Sequence, residues 1–252
     1  MIDYQLKGKV AMITGAASGI GLAIAERMAA SGAALSLWDI SEKSLQAAAE
    51  KLGQYKVPLN TVVADVSDAD AVAKGVRQTL AELGRLDIGV NNAGIGGPSA
   101  KSSDYPIDGW NKVIGINLNG VFYCQQLQLQ AMIKQQSGSI INMASILGQV
   151  GLANSPAYVA AKHGVVGMTK SAALEHAADG IRINAVGPGF IHTPMVDDSL
   201  DKATRDYLAT QHALNRMGTP TEVAELVCWL ASDAASFVTG AYYAVDGGYL
   251  AK

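Results

Sequence analysis

Tyr158 and Lys162 stand four residues apart in a stretch whose apolar spacing reads as helix. A phenol and an ammonium therefore share one helix face, ~6 Å apart along its axis. A cation beside a phenol favours the phenolate and lowers its pKa, so the pair could donate or accept a proton close to neutrality. Taken alone, the spacing equally describes a surface tyrosine and a solvated lysine. Upstream, Thr14-Gly15-Ala16-Ala17-Ser18-Gly19-Ile20-Gly21 follows a short apolar run and opens into Leu22, Ala23 and Ile24. Glycines there allow a tight turn and a close backbone approach to a pyrophosphate, whose charge meets free amides at a helix N-terminus. Asp39 ends the second apolar run, where a carboxylate accepts hydrogen bonds from adenosine ribose hydroxyls and repels a 2′-phosphate. Ser18 and Ile40 bring no cation to that place, so the pattern selects NAD over NADP. The competing readings are an ordinary βα turn for the glycines and a strand-end turn or helix cap for Asp39.

Residues so placed need a scaffold that delivers loops to one edge. Apolar runs at 10–14, 34–39, 59–63, 88–91, 139–143, 181–186 and 241–245 alternate with helix-period stretches at 20–30, 41–52, 68–83, 110–134, 156–178 and 221–231. This alternation is the pattern of a parallel sheet covered by helices on both faces. The expected fold is α/β: a single-domain, doubly wound sheet of seven parallel strands. The stretch 189–219 breaks the rhythm after the sixth strand. Such sheets place ligand-contacting segments beyond the carboxyl ends of their strands, so 189–219 is expected to cover the substrate.

The chain has 252 residues, a length one core can organise, and its 49% hydrophobic and 16% charged content excludes a disordered chain. A net charge of -3 offers no electrostatic footprint for nucleic acid or anionic lipid, which leaves a small molecule as the expected partner. Cys124 and Cys228 have no partner at metal-ligand or CxxC spacing and are expected as buried free thiols. His163, His176, His192 and His212 likewise lack ligand spacing, so no metal is expected, and His163 is expected to pack on its helix. The first ten residues carry charges and lack the apolar core of a signal peptide, and no run is long enough to cross a bilayer. A cytoplasmic location is the expectation.

In this order and spacing the motifs resemble the short-chain dehydrogenase/reductase family over nearly the whole chain. They are Thr14 to Gly21 after strand one, Asp65-Val66 after strand three, Asn91-Asn92-Ala93-Gly94 after strand four, Asn117, Ser145, Tyr158 with Lys162, and Pro188-Gly189 with Thr193. The resemblance implies a Rossmann-like fold and hydride transfer between a nicotinamide and a carbonyl or secondary alcohol. It makes Tyr158 the general acid/base and has Lys162 hold the nicotinamide ribose while biasing Tyr158 toward ionisation. Ser145 would hydrogen-bond the substrate oxygen, and Asn117 would steady a water-linked proton path to Lys162. Gly15, Ser18, Gly19, Ile20 and Gly21 would form the pyrophosphate loop, and Asp65 and Val66 would contact the adenine. Asn92, Ala93 and Gly94 would line the cofactor, while Pro188, Gly189, Ile191 and Thr193 would hold the carboxamide. Singly, Ser145 could cap a turn, Asn117 could be a helix-surface amide, and Asn91 and Asn92 could simply turn the chain.

By the same analogy, substrate contacts come from the loop after Gly94, from 146–155 and from the segment after Gly189. These supply Ile95, Leu147, Val150, Leu152, Met195, Val196, Tyr207 and Leu208, with Gln149 and His212 among few polar groups. Such a lining suits a ketone or a cyclic secondary alcohol better than a sugar, whose hydroxyls need paired polar groups. A rival reading is a β-ketoacyl carrier-protein reductase. An acidic carrier needs a basic patch, however, and the helix ends beside the cleft offer Gln135, Gln136, Ser137 and Asp179. A catalytically silent dinucleotide sensor is the rival from another class, and intact Ser145, Tyr158 and Lys162 argue against it. A homotetramer is expected from the family's habit, with Val113, Ile116, Val121 and Phe122 as apolar material for its interface.

Overall fold

The computed structural model describes residues 2–197 and 200–251. Its strands are β1 (Val10–Thr14), β2 (Ala34–Asp39), β3 (Leu59–Val63), β4 (Ile88–Asn91), β5 (Gly138–Met143), β6 (Ile181–Pro188) and β7 (Tyr242–Val245). All pairings are parallel, in the order β3-β2-β1-β4-β5-β6-β7. β1 is buried at all five positions and β4 at all four, which is why both read as unbroken apolar runs. The strand order reverses at β1, which pairs with β2 on one side and β4 on the other. Beyond the carboxyl ends of β1 and β4 the connecting loops part and leave a crevice.

The helices are α1 (Gly19–Ala30), α2 (Glu42–Leu52), α3 (Ala69–Leu83), α4 (Ile107–Ile114), α5 (Gly120–Gln135), α6 (Pro156–His176), α7 (Pro194–Asp197), α8 (Lys202–Thr210) and α9 (Pro220–Ala231). Local chemistry sets several ends. The Asp68 carboxylate accepts from the Asp70 and Ala71 amides at the start of α3, and Gly84 closes it with φ +80°. Thr219 and Glu222 form a reciprocal capping box on α9. One core layer packs α1 and α9 against the sheet through Ile24, Met28, Val223 and Val227, and the opposite layer gathers Trp38, Val72, Val76 and Cys124. Trp38 lies where a Cβ on Gly75 would come within 2.3 Å of its ring. Cys124 and Cys228 are buried and free, and burial pushes the Cys124 thiol up to about 12.

Two expectations about elements change. The helix expected over 110–134 begins at Ile107 and passes through a π-helical turn, Gly115–Asn119, before α5. The stretch 189–219 carries α7 and α8, and positions 198–199 within it lie outside the described residues. Among the described residues no helix is long and apolar enough to cross a membrane, and no group of three or more metal-ligating side chains occurs.

Candidate active site

A cleft of about 550 Å³ opens over the carboxyl ends of the strands. One wall is the turn from β1 into α1. Gly15 and Gly19 hold φ of +63° and +52°, values that glycine adopts without the Cβ penalty. Gly21 is fixed differently: a Cβ there would lie 2.0 Å from the Gly15 carbonyl oxygen and 2.7 Å from Asn92 Nδ2. The N-cap of α1 is Ser18, and its hydroxyl caps no amide, so the first-turn N–H groups face the cleft available to an anion. Thr14 ties this turn to β4, because its hydroxyl accepts from the Asn92 and Ala93 amides at 2.9 and 3.0 Å. Asn92 Nδ2 returns a bond to the Thr14 carbonyl at 2.9 Å.

Asp39 accepts from the Ala17 amide at 3.3 Å with Oδ2 and from the Ser41 amide at 3.2 Å with Oδ1. It is thus a turn residue that still lines the cleft, and each oxygen retains a lone pair. It does not cap α2, whose N-cap is Ser41. Asp65 Oδ1 is committed to the amide and hydroxyl of Ser67. Asp65 and Val66 line the cleft, as do Gly15, Ser18, Gly19, Ile20, Asn92, Ala93, Gly94, Pro188, Gly189, Ile191 and Thr193. The glycine turn, the acidic strand end and the uncapped helix start fit a dinucleotide.

At the other end of the cleft, Ser145 from the end of β5 comes together with Tyr158 and Lys162 from α6. Ser145 lies just past β5 and caps the 3-10 turn Ile146–Gly148, its Oγ accepting from the Leu147 amide at 3.1 Å. That bond uses a lone pair of the hydroxyl oxygen and leaves its proton to be donated into the cleft, where Tyr158 is its partner. Lys162 is buried, donates from Nζ to the Met143 carbonyl at 2.7 Å, and sits 5.5 Å from the centroid of the Tyr158 ring. Burial lowers its pKa to about 8. Tyr158 departs from the expected lowering: burial raises its pKa, and a hydrogen bond from Ser145 pulls the other way. Stripping water from the phenol outweighs that bond. Asn117 is fully buried in the π-helical turn and exchanges two bonds with the Ile95 backbone, Nδ2 to O at 2.7 Å and Oδ1 from N at 2.9 Å. It is not a surface amide, and π turns concentrate at functional sites.

The model of the family described as enoyl-(acyl carrier protein) reductase matches residues 15–250. A cis-4-hydroxycyclohexanecarboxylate dehydrogenase from Sinomonas cyclohexanicum is 46% identical over 245 residues, covering 96% of this chain and 97% of its own. A cyclohexanol dehydrogenase from Acinetobacter sp. (strain SE19) is 40% identical over 252 residues, covering 100% and 99%. The crystal structure of a levodione reductase superposes with a TM-score of 0.95 at 39% identity, covering 98% of this chain and 99% of that one. The chain belongs to the short-chain dehydrogenase/reductase family. It is an oxidoreductase of the secondary-alcohol and ketone class that uses a nicotinamide dinucleotide.

In this short-chain dehydrogenase/reductase the cleft differs in detail from the expected lining. Ile95, Met195 and Val196 do line it. Leu147 is buried, and Gln149, Val150, Leu152 and Tyr207 are exposed; none of the five is among the residues that line the cleft. His212 is buried behind the Gly189 strand end and gives Nδ1 to the Asp246 carbonyl at 2.6 Å, so it faces a separate cavity. His163 is exposed and bonded to the Val159 carbonyl. Sequence reasoning missed Lys112 and Ile116, one helical turn apart and both on the cleft; their i, i+4 spacing beside Asn117 was the available signal. Of the four side chains assigned to a subunit interface, Val113 and Val121 are core and Ile116 lines the cleft. Phe122 is 45% exposed, and Leu174 on α6 is 86% exposed.

Proposed function

We propose that the protein interconverts a cyclic, mainly apolar secondary alcohol and its ketone, with NAD as the cofactor in preference to NADP and Tyr158 as the acid/base. The observation that carries this reading is a single cleft lined by Asp39 and by Ser145, Tyr158 and Lys162, with Ile95, Met195 and Val196 as apolar lining. The ring-alcohol dehydrogenases among the similar proteins support the substrate class.

Gly15, Ser18, Gly19, Ile20 and Gly21 would hold the pyrophosphate, Asp39 the adenosine ribose, and Asp65 and Val66 the adenine. Asn92, Ala93 and Gly94 would flank the bound molecule. Pro188, Gly189, Ile191 and Thr193 would hold the carboxamide, and Lys162 the second ribose. When bound, the dinucleotide accepts or supplies the hydride. In oxidation the Tyr158 phenolate takes the alcohol proton; in reduction the phenol returns it to the carbonyl oxygen. Ser145 donates to the same oxygen, whose charge changes most along the reaction. Asn117 steadies the route by which the proton leaves through Lys162.

The chain would work as one domain with 189–219 covering the substrate, in the cytoplasm, as a homotetramer whose helix interface takes up Phe122 and Leu174. Light scattering tests the last point: a monomer at micromolar concentration would contradict it.

The functional test is a spectrophotometric NAD/NADH assay across cyclic alcohols and ketones, open-chain polyols and acyl thioesters. Cyclic substrates should show the highest kcat/KM. A β-ketoacyl thioester turned over faster would move the protein to the carrier-protein reductases, and no turnover with any class would leave a dinucleotide sensor.

A further inference from the structure

We propose that Tyr242 is a positioning residue for Ser145: its phenol, carried on the edge strand β7, reaches over Gly187 and holds the Ser145 main-chain carbonyl. The proposal rests on the reading of Ser145 and Tyr158 as the reacting pair.

The β5–β6 ladder ends at the pairing of Met143 with Val186, so Ser145 is the second residue past it. One bond before it, from the Ala144 amide to the Val186 carbonyl at 2.8 Å, and one after it, from the Gly148 amide to the Ser145 carbonyl at 2.9 Å, restrain its backbone. Tyr242 supplies a third anchor, its hydroxyl donating to that same carbonyl at 3.0 Å. Both lone pairs of the oxygen are then used. Because Ser145 Oγ is held in turn by the Leu147 amide, fixing the main chain fixes where the hydroxyl points.

The route of the phenol explains a glycine. Tyr242 pairs with Ala185 across β6–β7, and Gly187 lies two residues on, on the same face of the sheet. A Cβ at Gly187 would lie 1.9 Å from the Tyr242 hydroxyl and 2.2 Å from Cζ. Gly187 is absent from the residues with positive φ, so the ring, not the backbone conformation, requires glycine there. Burial, with Asp246 nearby, pushes the Tyr242 pKa up to about 12, which keeps the hydroxyl a donor through the working range.

The test compares Tyr242→Phe, Tyr242→Ala, Gly187→Ala, Gly187→Ala/Tyr242→Ala and Ser145→Ala. Readouts are kcat in both directions, dinucleotide affinity by fluorescence titration, melting temperature, and the pH profile of oxidation. Tyr242→Phe should lower kcat about three- to tenfold, the effect of one hydrogen bond, with dinucleotide affinity within about twofold of wild type. The alkaline inflection of oxidation should move to higher pH, because a loosened Ser145 gives Tyr158 a poorer hydrogen bond. A purely structural Tyr242 would lower the melting temperature and leave that inflection in place. Gly187→Ala should reproduce the loss or fail to fold, whereas the double variant, with the ring gone, should match Tyr242→Ala. Wild-type kcat and pH profile in Tyr242→Phe, beside an impaired Ser145→Ala, overturn the positioning role alone. An unimpaired Ser145→Ala overturns the catalytic reading and this proposal with it.

Discussion

Replacing Asp39 by serine should move the preference between the two nicotinamide dinucleotides toward NADP. The carboxylate stands at the carboxyl end of β2, lines the cleft, and is steadied by the Ala17 and Ser41 amides at 3.3 and 3.2 Å. Both bonds are long, so they orient the side chain without using up its acceptor capacity. A charge-assisted hydrogen bond to ribose hydroxyls contributes about 1.5–3 kcal/mol, so its loss weakens NAD by roughly 10- to 150-fold. Serine also removes the charge that repels a 2′-phosphate, which acts in the opposite direction on NADP. The assay is steady-state kcat/KM with each dinucleotide, wild type against Asp39→Ser, at one ionic strength. The NADP/NAD ratio should rise at least about tenfold. A wild-type enzyme that already prefers NADP, or a ratio that does not move in the variant, refutes the placement of ribose hydroxyls at Asp39.

Gly21→Ala should weaken both fold and cofactor binding, since its Cβ would stand 2.0 Å from the Gly15 carbonyl oxygen and must push α1 off the loop at a cost of about 1–3 kcal/mol. Gly53→Ala, where no atom lies within 4 Å of the added carbon, is the matched control and should melt close to wild type. Glu222 is held at about 2 by Arg216 and the Thr219 cap, below its ordinary value, so the stability it contributes is complete above the unfolded carboxyl's pKa and is lost as pH falls toward 2. Both partners are largely exposed, which limits the effect to about 1 kcal/mol or less. Denaturation of Glu222→Gln and wild type should therefore differ at pH 7 and converge at low pH; an equal gap at both would remove this account.

Much of the fold was legible because strands such as β1 and β4 are buried on both faces and the glycine loop must sit between strand and helix. What stayed hidden depends on three-dimensional packing. Periodicity marks Val113 and Val121 as apolar but does not say whether they face the protomer's own core or a second subunit. The π turn carries Asn117, whose two bonds to the Ile95 backbone no local spacing encodes. The largely polar composition of Lys202–Thr210 hid α8. Helical spacing correctly made Lys162 the neighbour of Tyr158, yet gave no measure of the dehydration that raises the phenol's pKa. Tyr242 reaches Ser145 only through the β6–β7 register.

Turnover by Tyr158→Phe, measured in both directions across pH beside a fluorescence titration of NADH, tests the central claim that position 158 moves the proton. With the Tyr158 pKa raised by burial, wild-type oxidation, which needs phenolate, should climb into the alkaline range, and carbonyl reduction, which needs phenol, should fall there. The variant should bind NADH within about a few-fold of wild type and lose nearly all turnover, with neither limb remaining. A variant that keeps about a tenth of the wild-type rate would place the principal proton donor elsewhere, since that residue costs only about 1.4 kcal/mol of the barrier.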